Sequence, residues 1–156
     1  MKYFNSSENK NLIDKLASQR AGAKVAIQGG QKYPEICGEV LFFEFDDVVV
    51  LSCYFSSLPQ TATNIFALHI HQNGECAGDF TSADNHYGEG EHPLHKGDLP
   101  PIFSCNGNAF SVFATNRFKL SDVIGKSVIL HLNPDDFTSQ PSGNSGERIA
   151  CGIIER

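Results

Sequence analysis

The sequence predicts an all-β domain. Seven short runs are rich in Val, Ile and Phe, and each run has the length of one strand. Gly, Asn, Asp and Pro separate the runs, as is typical of turns. Several short strands at close intervals favour a β-sandwich or a β-barrel. The runs occupy residues 23–30, 35–45, 48–55, 65–71, 108–116, 126–132 and 148–154.

The chain before the first run has a different pattern. Residues 8–20 place Leu12, Ile13 and Leu16 on one side of a short amphipathic helix, which Ser6 or Ser7 can cap. We therefore interpret residues 1–21 as a helical extension and residues 22–156 as the β domain. No internal repeat and no linker divides the chain further.

Within the β domain, the connections between runs differ in length. Asp46 and Asp47 separate two apolar runs and predict a tight hairpin turn. The run before them, "EVLFFEF", lacks clean alternation, so the sequence does not predict which of its faces is buried. Two connections are long, at about residues 73–108 and 133–147, and long loops in compact domains are typically functional. The first contains His86, His92, His95 and Asp98, and the second contains Asp135 and Asp136.

Composition and charge exclude several classes of protein. The chain has 156 residues, enough for one domain with its own core, and 40% of them are hydrophobic. A formal net charge of −6 argues against a general binder of nucleic acids or anionic membranes. No apolar run approaches the roughly 20 residues that cross a bilayer. The N-terminus lacks the apolar stretch of a secretory signal, so we expect a cytoplasmic protein.

The histidines are the main functional signal. All six fall between residues 69 and 131. His69 and His71 lie two residues apart in an apolar run, so both side chains share one face of a strand. Three imidazoles and a carboxylate satisfy tetrahedral zinc, whereas a set of imidazoles suits copper(II). Spacing alone predicts a metal site but does not identify the metal, because cupins and zinc enzymes also use a His-x-His pair.

The five cysteines give a weaker signal. They contain no Cys-x-x-Cys pair, which argues against a four-thiolate zinc site. Their odd number leaves at least one free thiol unless it pairs with another chain. They are Cys37, Cys53, Cys76, Cys105 and Cys151.

Four motifs in this order resemble the copper/zinc superoxide dismutase family. They are "HIHQNGEC", "HYGEGEHPLHKGDLPP", "VILHLNPDD" and "GNSGERIACGII", and the resemblance runs from about residue 23 to the C-terminus. It implies an immunoglobulin-like Greek-key β-sandwich or barrel of about eight antiparallel strands with two long functional loops. It also implies a Cys76–Cys151 disulfide, which would tie the first loop to the last strand.

The resemblance assigns the ligands of two metals. It implies copper ligands at His69, His71, His86 and His131, and zinc ligands at His86, His92, His95 and Asp98. His86 would therefore bridge the metals. Asp135 matches a carboxylate that joins a copper ligand to a zinc ligand, although Asp136 is adjacent. Arg148 matches the arginine beside copper.

The function implied is the disproportionation of superoxide to dioxygen and hydrogen peroxide, with copper and zinc as cofactors. His86 and Arg148 would be the catalytic residues, and the protein would be a monomer or a homodimer. Two alternatives remain. One is a non-catalytic copper/zinc-binding homologue that handles metal or acts as a scaffold. The other is a cupin-like dioxygenase or a zinc hydrolase, although no His-Glu-x-x-His motif is present.

Overall fold

The computed structural model of the chain describes residue 14, residues 18–45 and residues 47–156. These residues contain nine strands, a one-turn helix α1 (Leu120–Val123) and a 3₁₀ turn (Thr81–Ala83). The strands are β1 (Ala23–Gly29), β2 (Cys37–Phe45), β3 (Val48–Ser56), β4 (Ile65–Phe66), β5 (Leu68–His71), β6 (Ile102–Phe103), β7 (Ala109–Thr115), β8 (Ser127–His131) and β9 (Arg148–Ile153). Among these residues, no helix is long and apolar enough to cross a membrane. The helix predicted over residues 8–20 and the extension over residues 1–21 lie mostly outside the described residues, which include only residue 14 and residues 18–21 of this part of the chain.

Seven of these strands form one antiparallel sheet that curls into a half-barrel. Their order is β5-β8-β9-β1-β2-β3-β7, and β4 pairs with β6 separately. Each of the seven predicted runs contains a strand, so the predicted all-β fold is confirmed. Phe45 pairs with Val48 across the β2–β3 hairpin, which leaves the predicted two-residue connection at residues 46–47.

The first long connection is shorter than predicted. β6 lies inside the predicted loop of residues 73–108 and pairs with β4, so the loop ends before Ile102. The reason is that a two-residue strand after Pro100 and Pro101 has no alternating pattern for sequence analysis to detect. The second loop runs between β8 and β9, as predicted.

The interior of the half-barrel is filled from alternate strand positions. Val25 and Ile27 of β1 are buried, and the residues between them are exposed. Phe42 and Phe55 are fully buried, and burying such a side chain stabilises the fold by about 1.5–3 kcal/mol. Phe43 is also buried although it points to the opposite face of β2 from Phe42. This double burial explains why the sequence of β2 lacks clean alternation.

One disulfide ties the first long loop to the last strand. Cys76 and Cys151 are bonded across a separation of 75 residues, which confirms the pairing implied by the resemblance. A disulfide that closes a loop of this length stabilises the folded state by roughly 4 kcal/mol in the chain-entropy model. Cys53 is a buried free thiol, and Cys37 and Cys105 are exposed free thiols.

The first prediction concerns the accessibility of these thiols. Cys37 and Cys105 should react with a chromogenic disulfide reagent in the native protein. Cys53 should not react, because it lies in the core and burial raises its pKa to about 12, which removes the reactive thiolate. Denaturation without reductant should release one further thiol, and subsequent reduction should release two more.

Alkylation followed by peptide mass spectrometry assigns each reacting cysteine. A Cys53→Ala variant is the control: it should leave the native count unchanged and lower the denatured count by one. Rapid reaction of a third thiol in the native protein would contradict the burial of Cys53.

Candidate metal centre

The histidine pair of β5 faces away from the barrel interior. Leu68 and Ile70 enter the core, whereas His69 and His71 share the other face of the strand. Both histidines have no exposed surface, since the long loops cover this face. Because side chains alternate along a strand, the four residues of β5 place two side chains in the core and two histidines on the opposite face.

The first long loop occupies the free edge of β5. The main chain of Ile70 donates to Gly97 O (2.9 Å) and accepts from Tyr87 N (2.8 Å), so two parts of the loop pair with one strand. This pairing sets two loop residues beside the two strand histidines. They are His86, which forms an isolated antiparallel β-bridge with His71, and Asp98, which forms one with His69.

A first cluster contains four imidazoles. Each ring offers a nitrogen, and these nitrogens all lie within 4.8 Å of one another. All four residues are buried. β8 contributes the fourth ring, because its last residue bonds to Ala67 O just before β5. The members are His69, His71, His86 and His131.

A second cluster contains three imidazoles around one carboxylate. Asp98 is its centre: Oδ1 lies 2.7 Å from His86 Nδ1, and Oδ2 lies 3.1 Å from His95 Nδ1. The third ring is that of His92, whose Nδ1 lies 3.3 Å from Asp98 Oδ2. Three Nδ1 atoms therefore converge on a single carboxylate, as the ligands of one metal ion do.

His86 belongs to both clusters. Its Nδ1 faces Asp98, and its Nε2 is buried without a hydrogen-bond partner among the described residues. Nε2 is thus the atom that the ring has left to offer to the first cluster. A single imidazole with one nitrogen toward each cluster is the geometry of a bridge between two adjacent metal ions.

Main-chain carbonyls fix the orientation of two rings in the first cluster. His71 Nδ1 donates to Asp84 O (2.7 Å), and His131 Nδ1 donates to Gly146 O (3.4 Å). A carbonyl accepts but does not donate, so the His71 ring carries its proton on Nδ1, whereas His131 Nδ1 also lies 3.2 Å from Ser145 Oγ, which can donate or accept. The Nε2 atoms of the two rings lie 3.3 Å apart. This arrangement is repulsive unless a cation or a proton lies between them.

Asp135 joins the two clusters from outside. His69 Nε2 donates to its Oδ2 (2.9 Å), and His92 Nε2 donates to its Oδ1 (2.8 Å). Each ring therefore keeps its other nitrogen, Nδ1, free for its cluster. The adjacent Asp136 instead accepts bonds from Ser139 and Thr138 in its own turn. The sequence did not decide which of the two adjacent carboxylates contacts the histidines, and in the structure it is Asp135.

A glycine allows the second loop to close over this carboxylate. Gly143 has φ of +65°, and a Cβ at this position would collide with Asp135 Oδ1 and His92 Nε2. Only a residue without a side chain fits both the left-handed backbone and the contact. The loop therefore shields the Asp135–His92 hydrogen bond from solvent.

The environment keeps the ligands in the protonation state that binds metal. Burial lowers the pKa of His69 to about 4 and that of His71 to about 2, so both rings are neutral near pH 7. Burial also lowers the pKa of His131 well below its usual value. Burial acts to raise the pKa of Asp98, but the hydrogen bond from His86 and the nearby rings outweigh it and hold the pKa at about 2.

Unpaired nitrogens show that the donor set fits metal ions. His69 Nδ1, His86 Nε2 and His92 Nδ1 are buried and have no hydrogen-bond partner among the described residues. Leaving such a group unpaired costs about 1–3 kcal/mol, so buried polar atoms of this kind normally have a ligand or partner. Each of the three is the nitrogen that its ring has left for a cluster. Metal coordination satisfies all three at once.

A cavity of about 590 Å³ leads to the clusters. His86, His131 and Arg148 all line it, and Arg148 is the cross-strand partner of His131. The guanidinium of Arg148 donates to Phe80 O (2.6 Å) and Asp84 O (2.8 Å), which fixes its position at the end of β9. His95 also lines this cavity, so the arrangement places a fixed positive charge in the same cavity as three cluster histidines.

Fold and site together define a β-barrel protein with two adjacent histidine-rich metal sites that share one ring. The chain belongs to the copper/zinc superoxide dismutase family, because the family model "Copper/zinc superoxide dismutase (SODC)" matches residues 36–154. The family and the two clusters both fit the binding of copper and zinc.

Relatives named as dismutases and as copper chaperones are similar to this chain. "Superoxide dismutase [Cu-Zn] 2" of Aquifex aeolicus (strain VF5) is 34% identical over 139 residues, covering 77% of this chain and 80% of that protein. The "Copper chaperone for superoxide dismutase" of Homo sapiens is 32% identical over 153 residues, covering 88% of this chain and 54% of that protein. The crystal structure of a double mutant of a SOD-like protein from Bacillus subtilis superposes with a TM-score of 0.75 at 26% identity, covering 85% of this chain and 97% of that chain.

The structure brings all seven predicted metal ligands together and places Asp135 and Arg148 beside them. Sequence analysis missed the groups that hold these residues. Asp84 O and Gly146 O act through the main chain, so their residue type gives no signal. Gln140 and Arg117 bond to the loop that carries His92, and polar side chains of this kind are common in any loop.

The second prediction tests the link between the clusters. Asp135→Asn should weaken metal binding at one or both clusters by roughly 10- to 100-fold, because an amide accepts from only one of the two ring N–H groups. Asp136→Asn is the matched control and should leave both affinities unchanged, since Asp136 bonds within its own turn. Competition titrations of the metal-free protein with a chromogenic chelator measure both. Equal affinities in the two variants would contradict the assigned role of Asp135.

Proposed function

We propose that the protein is a superoxide dismutase with copper at the first cluster and zinc at the second. The observation that supports it most directly is the shared ring of His86, which belongs to both clusters. Four imidazoles suit copper(II), and three imidazoles with one carboxylate suit zinc.

When bound, copper supplies the chemistry by alternating between Cu(II) and Cu(I), so that two superoxide ions and two protons give dioxygen and hydrogen peroxide. The chain supplies the surroundings. A hydrogen bond on one ring nitrogen directs the other nitrogen of the same ring into the first cluster. This holds for His69, His71 and His131. His86 Nε2 is the ring atom that can hold a proton beside the substrate cavity, since Nδ1 is directed at Asp98.

Arg148 provides the local attraction for an anion. The chain carries a net charge of −6, which by itself repels superoxide. Charges farther than about 8–10 Å are largely screened at physiological salt, so groups in the cavity decide the approach. Arg148 lines this cavity and offers planar donors to a dioxygen anion. Glu89 also lines the cavity and opposes it, and residues 133–147 contain no lysine.

A non-catalytic metal-handling role is the second candidate. It is favoured by the similarity to the copper chaperone of Homo sapiens, which is 32% identical to this chain. The presence of both complete clusters and of Arg148 in the cavity supports the dismutase instead. Both candidates bind metal, so metal binding does not separate them. They differ in whether the metal-loaded protein turns over superoxide.

The third prediction decides between them. Protein loaded with both metals should contain one copper and one zinc per chain and should dismute superoxide, as measured by mass spectrometry of the metals and by pulse radiolysis. His86→Gln should bind at most one of the two metals with native affinity, because the Gln amide offers one ligand oxygen in place of two ring nitrogens. Full copper loading of the native protein without dismutation would exclude the enzyme and support the metal-handling role.

The fourth prediction concerns Arg148. Arg148→Ala should lower the second-order rate constant for superoxide by about tenfold and flatten its dependence on ionic strength, because the cavity loses the positive charge of this guanidinium. Arg148→Lys should be intermediate, since it keeps the charge without the planar donors.

Lys24→Ala is the control, because Lys24 lies on β1 and does not line the cavity. It should change neither the rate nor the salt dependence. Copper content of every variant is measured in parallel so that a loss of metal is not mistaken for a loss of attraction. An Arg148→Ala enzyme with unchanged rate and salt dependence would exclude the role proposed for Arg148.

A further inference from the structure

Two side chains outside the ligand set hold the main chain of the His92–His95 segment. Gln140, from the second long loop, forms a reciprocal pair with the backbone of His92. Its Nε2 donates to His92 O (2.7 Å), and its Oε1 accepts from His92 N (3.0 Å). One amide thus satisfies both main-chain groups of a residue in the other loop.

Arg117 holds the same segment from the other end. It follows β7, and its Nη1 donates to Pro93 O (2.8 Å) and to His95 O (2.9 Å). The main-chain N of Asp98 also donates to His95 O (3.2 Å), so this carbonyl accepts from both the arginine and the residue that carries the carboxylate of the second cluster. The segment is therefore attached to the second long loop through Gln140 and to the chain after β7 through Arg117.

We infer that Gln140 and Arg117 are positioning residues of the second cluster. The inference rests on the proposed binding of zinc there and requires no catalysis. His92 Nδ1 and His95 Nδ1 reach Asp98 only if the backbone between them has one conformation. Tetrahedral zinc tolerates little displacement of its ligands, so fixing this backbone raises the affinity for zinc.

Their locations separate this role from general stabilisation of the fold. Both residues are exposed, and neither belongs to the hydrophobic core. The hydrogen bonds of Arg117 are exposed and those of Gln140 are partly buried, so water replaces much of what both side chains contribute to the free energy of unfolding. Loss of either side chain should therefore affect metal binding at the second cluster far more than the unfolding of the metal-free protein.

The experiment compares zinc binding by metal-free variants in competition with a chromogenic chelator. Gln140→Ala and Arg117→Ala should each weaken zinc binding by about 10- to 100-fold. Arg117→Lys should recover part of the loss, because an ammonium can still donate to these carbonyls. Gln140→Glu should not recover it fully, since a carboxylate accepts from His92 N but cannot donate to His92 O.

Cobalt(II) in place of zinc gives a readout that a merely structural role does not change. The visible absorption of tetrahedral cobalt should shift or weaken in both alanine variants, because the ligand geometry relaxes. Lys119→Ala, two residues after Arg117, and Gln60→Ala are the matched controls and should keep the native spectrum and affinity.

Two results overturn the inference and are distinguishable. Native zinc affinity and a native cobalt spectrum in both alanine variants exclude the positioning role while leaving the proposed function intact. Failure of the unsubstituted protein to bind zinc or cobalt at this cluster excludes the inference together with the proposed zinc site. Urea unfolding of each metal-free variant shows that a weaker affinity does not arise from global unfolding.

Discussion

The metal centre depends on how the free edge of β5 is used. In a sheet, such an edge exposes unpaired N–H and C=O groups and invites another strand. Here two segments of the first long loop take these groups, through Gly97 and Tyr87. The consequence is geometric: the residues next to those anchors, His86 and Asp98, are carried to the face where β5 presents its own histidines. Backbone pairing at this edge thus places one residue of each cluster beside the β5 histidines.

The remaining order of the loops comes from a few apolar contacts, the disulfide and polar contacts. Phe80 and Ala83 of the first loop pack against Ile129 and Cys151, whereas the described residues of the second loop belong to neither hydrophobic cluster. The disulfide anchors the first loop to β9, and Asp135 ties the second loop to rings from both clusters. These contacts bury several imidazoles whose unpaired nitrogens are costly without a cation. Stability and metal binding are consequently coupled in this part of the molecule, because the bound ion offsets that cost.

Sequence analysis predicted the elements whose signal lies in residue type and period. The shared face of His69 and His71 follows from the period of a strand, and the seven runs each contain a strand. It failed where the determinant is the path of the main chain. β6 has only two residues, and the Asp84 and Gly146 carbonyls carry no signature of their own. Asp135 and Asp136 are adjacent carboxylates, and only the turn that folds around Asp136 separates their roles.

Overall similarity does not separate a dismutase from a copper-handling relative, because both kinds of relative match this chain at 32–34% identity. The physical difference is access. Binding requires only that the nitrogens converge, whereas turnover also requires that a small anion reach them repeatedly. His71 is fully buried, but His86 and His131 line a cavity that Arg148 shares. Arg148 and His131 are cross-strand partners in β9 and β8, so the pairing of these strands places the arginine beside the cavity histidine. The half-buried Arg148, with both of its terminal nitrogens held by loop carbonyls beside a cluster, therefore supports the proposed dismutase over a role in metal handling alone.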